Sequence, residues 1–280
     1  MNIKSDEIHM SIQFIFKTHP LRLLLAPALL SFVTIFSTLN VGSMANAADV
    51  IKPPKHEWTF TGATGTFDRA ALQRGFQVYN EVCAACHGLD LVRYEKLEAL
   101  GFSEAEIKAI AGQKEIAGPL NDDGESTLVK ATPADAFANP YPNKKAARAA
   151  NNGAYPPDLS LIVKSRLHGA DYLHALLTGY TDPPAGFELM PGMYYNTYFS
   201  GNQIAMPAPL MEDQVEYADG TKATVEQMSR DVTEFLAWAA EPESEFRRNL
   251  GIKVLLFLLF FTILMNALMR RVWRQIKAKS

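Results

Sequence analysis

With 280 residues, 20% of them charged and 48% hydrophobic, the chain can bury one sizeable globular core or two small ones. Its net charge of −3 averages over opposites: residues 48–245 carry 16 Lys and Arg against 28 Asp and Glu, a net of −12, while the two ends contribute 11 bases and 2 acids. A body this acidic repels nucleic acid and attracts cationic partners, although acidic charge also serves solubility alone.

The chain opens with the features of an export signal over residues 1–47. Lys4, Lys17 and Arg22 are scattered around and ahead of the apolar run "LLLAPALLSFVTIF", and small residues at Ala45 and Ala47 suit cleavage just before Ala48. An uncleaved amino-terminal anchor is the competing reading, and Met10 is an alternative start. Next, Asp68 is placed to N-cap a helix through "RAALQRGFQVYNEVCAACHG", where Leu72, Phe76, Tyr79 and Cys83 recur at helical spacing. This helix is expected to deliver Cys83 and Cys86 at its last turn, with Gly88 as the stop signal. Gly75 inside it costs about 1 kcal/mol relative to Ala, so it needs a packing reason. Further on, Thr224 and Gln227 form a capping-box pattern ahead of "MSRDVTEFLAWAAEP", with Val232, Phe235, Leu236 and Ala239 on one face. Each helix by itself could be ordinary core.

Near the carboxyl end, Gly251 to Met269 is a 19-residue apolar run with one charge, Lys253. At ~1.5 Å per residue it extends about 28 Å, close to the thickness of a bilayer core. A buried core helix rarely reads apolar on every face for that length. The tail that follows, "RRVWRQIKAKS", is basic throughout. Positive charge stays on the cytoplasmic side, so the expected order is a periplasmic domain over 48–245, then an anchor and cytoplasmic tail over 246–280.

Cys83, Cys86 and His87 form a Cys-x-x-Cys-His cluster, and there is no other cysteine. A structural zinc site wants four ligands, commonly from two such pairs. Outside the leader and the cluster only His56, His168 and His174 remain, with no second pair of thiols. A thioredoxin-like dithiol would sit by a βαβ pattern, and none surrounds Cys83. Covalent attachment of haem c needs only what is present: two thiols for the two vinyl groups and a histidine for the iron.

A second axial ligand would make the iron six-coordinate. His168 and His174 lie on one predicted helix, six residues apart, and only one could face the ring. Met190 and Met193 flank a Pro-Gly turn, Met211 is in a polar loop, and Met228 falls in the last soluble helix. Met206, in "NQIAMPAPLMED", is the preferred candidate, because Pro207 and Pro209 stiffen the segment shortly before that helix.

The phrases "QRGFQVYNEVCAACHG", "NDDGE", "PYPNKKAARAANNGAYPPDLS", "DYLHALLTGY", "PPAGFELMPGMYYNTYF" and "IAMPAPL" resemble the cytochrome c1 family, haem subunits of quinol–cytochrome c oxidoreductase (cytochrome bc1) complexes. The resemblance covers most of residues 53–280. It implies a mostly α, class I cytochrome c-like helical haem domain with large loops, plus one C-terminal transmembrane helix. In class I c-type cytochromes a glycine at the Gly75 position lets the first helix cross closely over the last. Carried over by position, Cys83 and Cys86 attach the haem, His87 and Met206 are the axial ligands of its iron, and Arg148 lies near a propionate. The implied function is one-electron transfer as a subunit of an oxidoreductase, with no enzyme activity alone. The implied partners are cytochrome b, the Rieske iron–sulfur subunit, a c-type cytochrome acceptor and the bacterial inner membrane. "NDDGES" and "EDQVEYAD" are candidate docking segments for a lysine-rich acceptor. Some bacterial relatives carry an extra disulfide near the methionine ligand, and this chain has no cysteines left for one. A membrane-anchored c-type cytochrome serving another respiratory enzyme is the alternative, and a peroxidase-like haem enzyme would need a vacant distal side.

Overall fold

The computed structural model describes residues 51–278, which belong to one compact unit; the expected signal peptide, residues 1–47, lies outside them. Asp68 opens α1 (Arg69–Glu81), its carboxylate accepting from the amides of Ala70 and Ala71 at 2.9 and 3.5 Å. Leu72, Phe76, Val78 and Tyr79 on α1 are buried, as their spacing requires. The helix stops at Glu81, so the cysteines are not on its last turn. They sit on a separate 3₁₀ turn, Cys83–Ala85, where the Cys83 carbonyl accepts from the amides of both Cys86 and His87. Gly88 is therefore not the helix stop. Its role is close approach, since a Cβ there would meet Asn139 Oδ1 at 2.1 Å.

A second 3₁₀ helix, Tyr94–Leu100, leads to α2 (Glu104–Gly112), which has a reciprocal capping box between Ser103 and Glu106. An antiparallel hairpin, β1 (Glu115–Leu120) with β2 (Ser126–Lys130), follows. Three helices come next: α3 (Lys144–Ala150), α4 (Ile162–Ser165) and α5 (Gly169–Thr178). The short antiparallel pair β3 (Tyr194–Tyr195) and β4 (Gln203–Ile204) precedes α6 (Val225–Ala240). Among the described residues both sheets are two-stranded and antiparallel, so no βαβ unit stands beside Cys83. Long irregular segments link these elements, as the mostly α reading with large loops expects.

The core forms where α1 crosses α6. A Cβ on Gly75 would lie 2.0 Å from the Asp231 carbonyl oxygen and 2.7 Å from Phe235 Cβ, so only glycine permits this approach. The class I expectation for that glycine is met. Around the crossing, Phe235 packs on Phe76 and Tyr79 at ring separations of 5.8 and 5.7 Å. Burying a side chain such as Phe235 or Leu72 fully is worth roughly 1.5–3 kcal/mol. Helix α6 is buried on nearly every side, because α1, α4 and α5 all pack against it. The single apolar face read from the sequence is thus too narrow. Its buried acids are partnered: Asp231 binds the Arg74 guanidinium at 2.9 Å, and Glu234 accepts from the Thr59 hydroxyl at 2.7 Å and the Asp68 amide at 3.0 Å. Thr224 caps α6 by accepting from the Gln227 amide at 3.1 Å. Gln227 does not return the bond; its amide donates to Asp231, so the capping box is half formed.

Helix α7 (Ser244–Lys277) starts seven residues before the apolar run and contains all of it. Its first turn is docked, with Glu245 bound to Arg69 at 2.5 Å and to the Phe67 amide at 2.7 Å. Beyond Leu250 its large apolar side chains are exposed, and its most apolar window has a mean hydropathy of 2.3. Exposed apolar surface of that extent marks a helix built for a non-aqueous setting.

Candidate haem site

The Cys83–His87 turn hangs from the end of α1 and is clasped by the segment "PPDLS" at 156–160. The Leu159 amide donates to the Gly88 carbonyl at 2.9 Å, the Asp90 amide to Asp158 Oδ2 at 2.8 Å, and the Leu91 amide to Ser160 Oγ at 3.0 Å. Within that clasp, His87 Nδ1 lies 2.7 Å from the Pro157 carbonyl oxygen. A carbonyl can only accept, so Nδ1 carries the proton and Nε2 keeps its lone pair. Burial lowers the His87 pKa, outweighing the Pro157 bond and the nearby Asp158 carboxylate. The ring is therefore a neutral imidazole with Nε2 ready for a metal, held the way ligating histidines are held.

Cys83 and Cys86 are both free thiols, so their spacing is not spent on a disulfide. Burial, with a smaller contribution from Cys86, pushes the Cys83 thiol up to about 12. The Tyr141 hydroxyl lies 3.8 Å from Cys86 Sγ and accepts from Asn151 Nδ2 at 3.1 Å. Since Asn151 ends α3, these contacts join Cys86 to the helix that carries Arg148.

Arg148 itself is exposed and points elsewhere. Its guanidinium donates to the Gly153 carbonyl at 2.8 Å and lies 5.8 Å from the Tyr155 ring centre. Tyr155 shares with Cys86 the wall of a cavity of about 150 Å³, so Arg148 is one side chain removed from the cysteine turn.

Met206 comes from a separate segment just after β4 and is half-buried. Its carbonyl accepts from the Tyr180 hydroxyl at 3.1 Å, which ties it to the end of α5. Burial raises the Tyr180 pKa, so that hydroxyl stays a donor at any ordinary pH. Among the competing candidates, Met193 is half-buried like Met206. His168 is exposed, with φ of 69°, and precedes α5 instead of lying on it. His174 is buried against α6, with Nδ1 on Ser229 and Nε2 on Glu226. Met228 is fully buried in the core, while Met190 and Met211 are exposed.

The donor set fits a c-type haem: two adjacent unpaired thiols, one neutral imidazole with a free Nε2, and a thioether in a proline-stiffened segment. Pro157, Tyr141 and Tyr180 were not singled out from the sequence. The only signal for them lay in the long phrases "AYPPDLS", "PYPN" and "LLTGY", which carry no chemistry until folding brings them to the turn.

Helices that cross at a glycine, a thiol–thiol–imidazole turn beside them and a long apolar helix at the end define the class of anchored c-type cytochromes. The chain belongs to the cytochrome c1 family, whose model matches residues 58–276. It is 45% identical over 246 residues to "Cytochrome c1 1, heme protein, mitochondrial" of Arabidopsis thaliana, covering 88% of this chain and 80% of the relative. It is 44% identical to "Cytochrome c1" of Rhodospirillum rubrum, with 85% and 94% covered. It is 45% identical to "Cytochrome b-c1 complex catalytic subunit, mitochondrial" of Candida albicans, with 88% and 86% covered.

Proposed function

We propose that this chain is the haem c electron carrier of a quinol–cytochrome c oxidoreductase complex. It takes one electron at a time from the iron–sulfur subunit and passes it to a c-type cytochrome. The observation that carries this reading is the His87–Pro157 contact of 2.7 Å, which sets the tautomer a haem ligand needs within a Cys-x-x-Cys-His turn.

In this reading Cys83 and Cys86 would tether the haem, and His87 Nε2 and the Met206 sulfur would ligate its iron. Pro157 holds the imidazole plane, and Tyr180 holds the backbone of Met206. A haem held by both residues would supply one-electron exchange, with neither side left to oxygen or peroxide. Arg148, near the Cys86 side of the turn, is the proposed partner of a propionate after its side chain rotates off Gly153. The alternative, an anchored carrier for another respiratory enzyme, is disfavoured by the family match through the long phrases between residues 140 and 200.

Residues 48–245 would lie in the periplasm, with α7 crossing the inner membrane and the basic tail, Arg270 to Lys279, in the cytoplasm. The proposed subunit neighbours are cytochrome b and the Rieske protein. For the acceptor, Asp122, Asp123 and Glu125 at the tip of the β1–β2 hairpin are exposed acids. The second acidic segment is partly committed: Asp219 pairs with Arg74, and Glu212 accepts from the Val225 amide.

Redox difference spectra of membranes test the function. Quinol should reduce a c-type haem in this chain, and a quinol-site inhibitor should block that reduction. Reduction that ignores the inhibitor would point to the alternative carrier.

A further inference from the structure

Away from the haem site, three metal-ligating side chains converge from distant parts of the chain. His56 precedes α1, His174 lies in the middle of α5, and Glu226 is in the first turn of α6. One ligand atom from each lies within 4.8 Å of the other two. We propose that His56, His174 and Glu226 bind a divalent transition-metal ion of the zinc class, with water completing the coordination.

The chemistry selects the ion. Two imidazoles and a carboxylate suit zinc, copper or nickel, whereas calcium and magnesium want shells of oxygen. Three protein ligands with an open fourth position is a recurring zinc arrangement. At metal–ligand distances of about 2.0–2.2 Å, a tetrahedron places ligand atoms roughly 3.4 Å apart. His174 Nε2 and Glu226 Oε1 already stand 3.1 Å apart. His56 is half-buried and Glu226 exposed, so side-chain rotation alone closes the remaining gap.

His174 is the fixed point, only 2% exposed. Its Nδ1 lies 2.8 Å from Ser229 Oγ, and that hydroxyl lies 3.3 Å from the carbonyl oxygen of His174 itself. With an ion bound, Nδ1–H donates to the hydroxyl, the hydroxyl donates to the carbonyl, and Nε2 turns its lone pair to the ion; without one, the hydroxyl can donate to Nδ1 and Nε2–H to Glu226. The ion then takes the place of the Nε2 proton between the ring and the Glu226 carboxylate. The surroundings favour positive charge: Asp171 accepts from the His56 amide at 3.1 Å and from Trp58 Nε1 at 2.8 Å. Against Asp171 and Glu226 stands one cation, Arg230, whose guanidinium lies 5.4 Å from the Trp58 ring centre. An ion held here would fasten the segment ahead of α1 to both α5 and α6.

The test uses the full-length, tag-free holoprotein in detergent, stripped with a chelator and titrated calorimetrically with Zn²⁺. One equivalent should bind. His56→Gln and Glu226→Gln should each weaken binding at least tenfold, and the double variant should lose that equivalent. Ser229→Ala, which frees the buried ring, should weaken it roughly 10- to 100-fold. His168→Gln should change nothing, and an unaltered haem spectrum shows that each variant is folded. Failure of the wild type to bind Zn²⁺, or wild-type affinity and stoichiometry in the folded double variant, would overturn the site.

Discussion

Around His87 the chain is clasped by one segment: the Leu159 amide, the Pro157 carbonyl and the Asp158 and Ser160 side chains hold the turn and the residues just after it, and the turn hangs from the end of α1. Around Met206 the hold is looser, with two prolines, the short β3–β4 pair and one hydrogen bond from Tyr180. The first region resists any change of geometry, since its contacts are many and mutually dependent. The second can be altered one contact at a time, which, with Met206 as the proposed ligand, makes it the side where the properties of the iron are open to tuning.

The largest expected effect comes from removing the thiols proposed to tether the haem on the clasped side. Cys83→Ala or Cys86→Ala should leave little or no folded holoprotein, read as loss of the haem-stained band. A normal band in both would remove the haem assignment. Next comes the helix crossing that carries the turn. Gly75→Ala drives a methyl group into the Asp231 carbonyl, a backbone atom that cannot swing aside. Overpacking costs typically 1–3 kcal/mol, here at the upper end. For a domain of this size, about 3 kcal/mol lowers the thermal midpoint by roughly 6–12 °C. An unchanged midpoint would mean the helices separate freely.

On the looser side, Met206→Leu should cost under about 1.5 kcal/mol, because volume and apolarity are kept. The domain should stay folded with haem attached, while the haem potential falls and the ferrous form begins to bind carbon monoxide. The same variant of Met228 should leave both properties alone. If Met206→Leu changes neither, the sixth ligand lies elsewhere. The smallest expected effect is that of Tyr180→Phe, which removes the hydroxyl on the Met206 carbonyl at about 0.5–1.5 kcal/mol. It should keep the methionine–iron absorbance band at low temperature and lose it on warming sooner than the wild type. Identical thermal loss of the band would show that the prolines alone hold Met206.

Local signals in the chain carried far in some places and stopped short in others. The start of α1 at Asp68, the cap at Thr224, the apolar helix near the carboxyl end and the Cys-x-x-Cys-His turn were all legible, because each depends on residues within a few positions of one another. The reading failed where a partner from afar takes over. Local spacing continued α1 through the cysteines, yet the clasp from residues 156–160 and the paired hydrogen bonds on the Cys83 carbonyl end it at Glu81. Gly88 read as a helix stop because its need for space comes from Asn139, about fifty residues away.

Sequence alone determined which atoms are available: two thiols, a handful of imidazoles and thioethers, one run of apolar residues long enough to cross a bilayer, and family-specific phrases. It could rank Met206 above His174 only by preference. Tertiary structure decided how each candidate is employed. His87 and His174 are the same residue type, yet a carbonyl on one ring leaves its Nε2 free, while a serine and a carboxylate engage both nitrogens of the other. Nothing within a few residues of either histidine encodes that difference. A ring nitrogen's role depends on what the fold places within hydrogen-bond reach of it, and those neighbours are 70, 55 and 52 positions away along the chain.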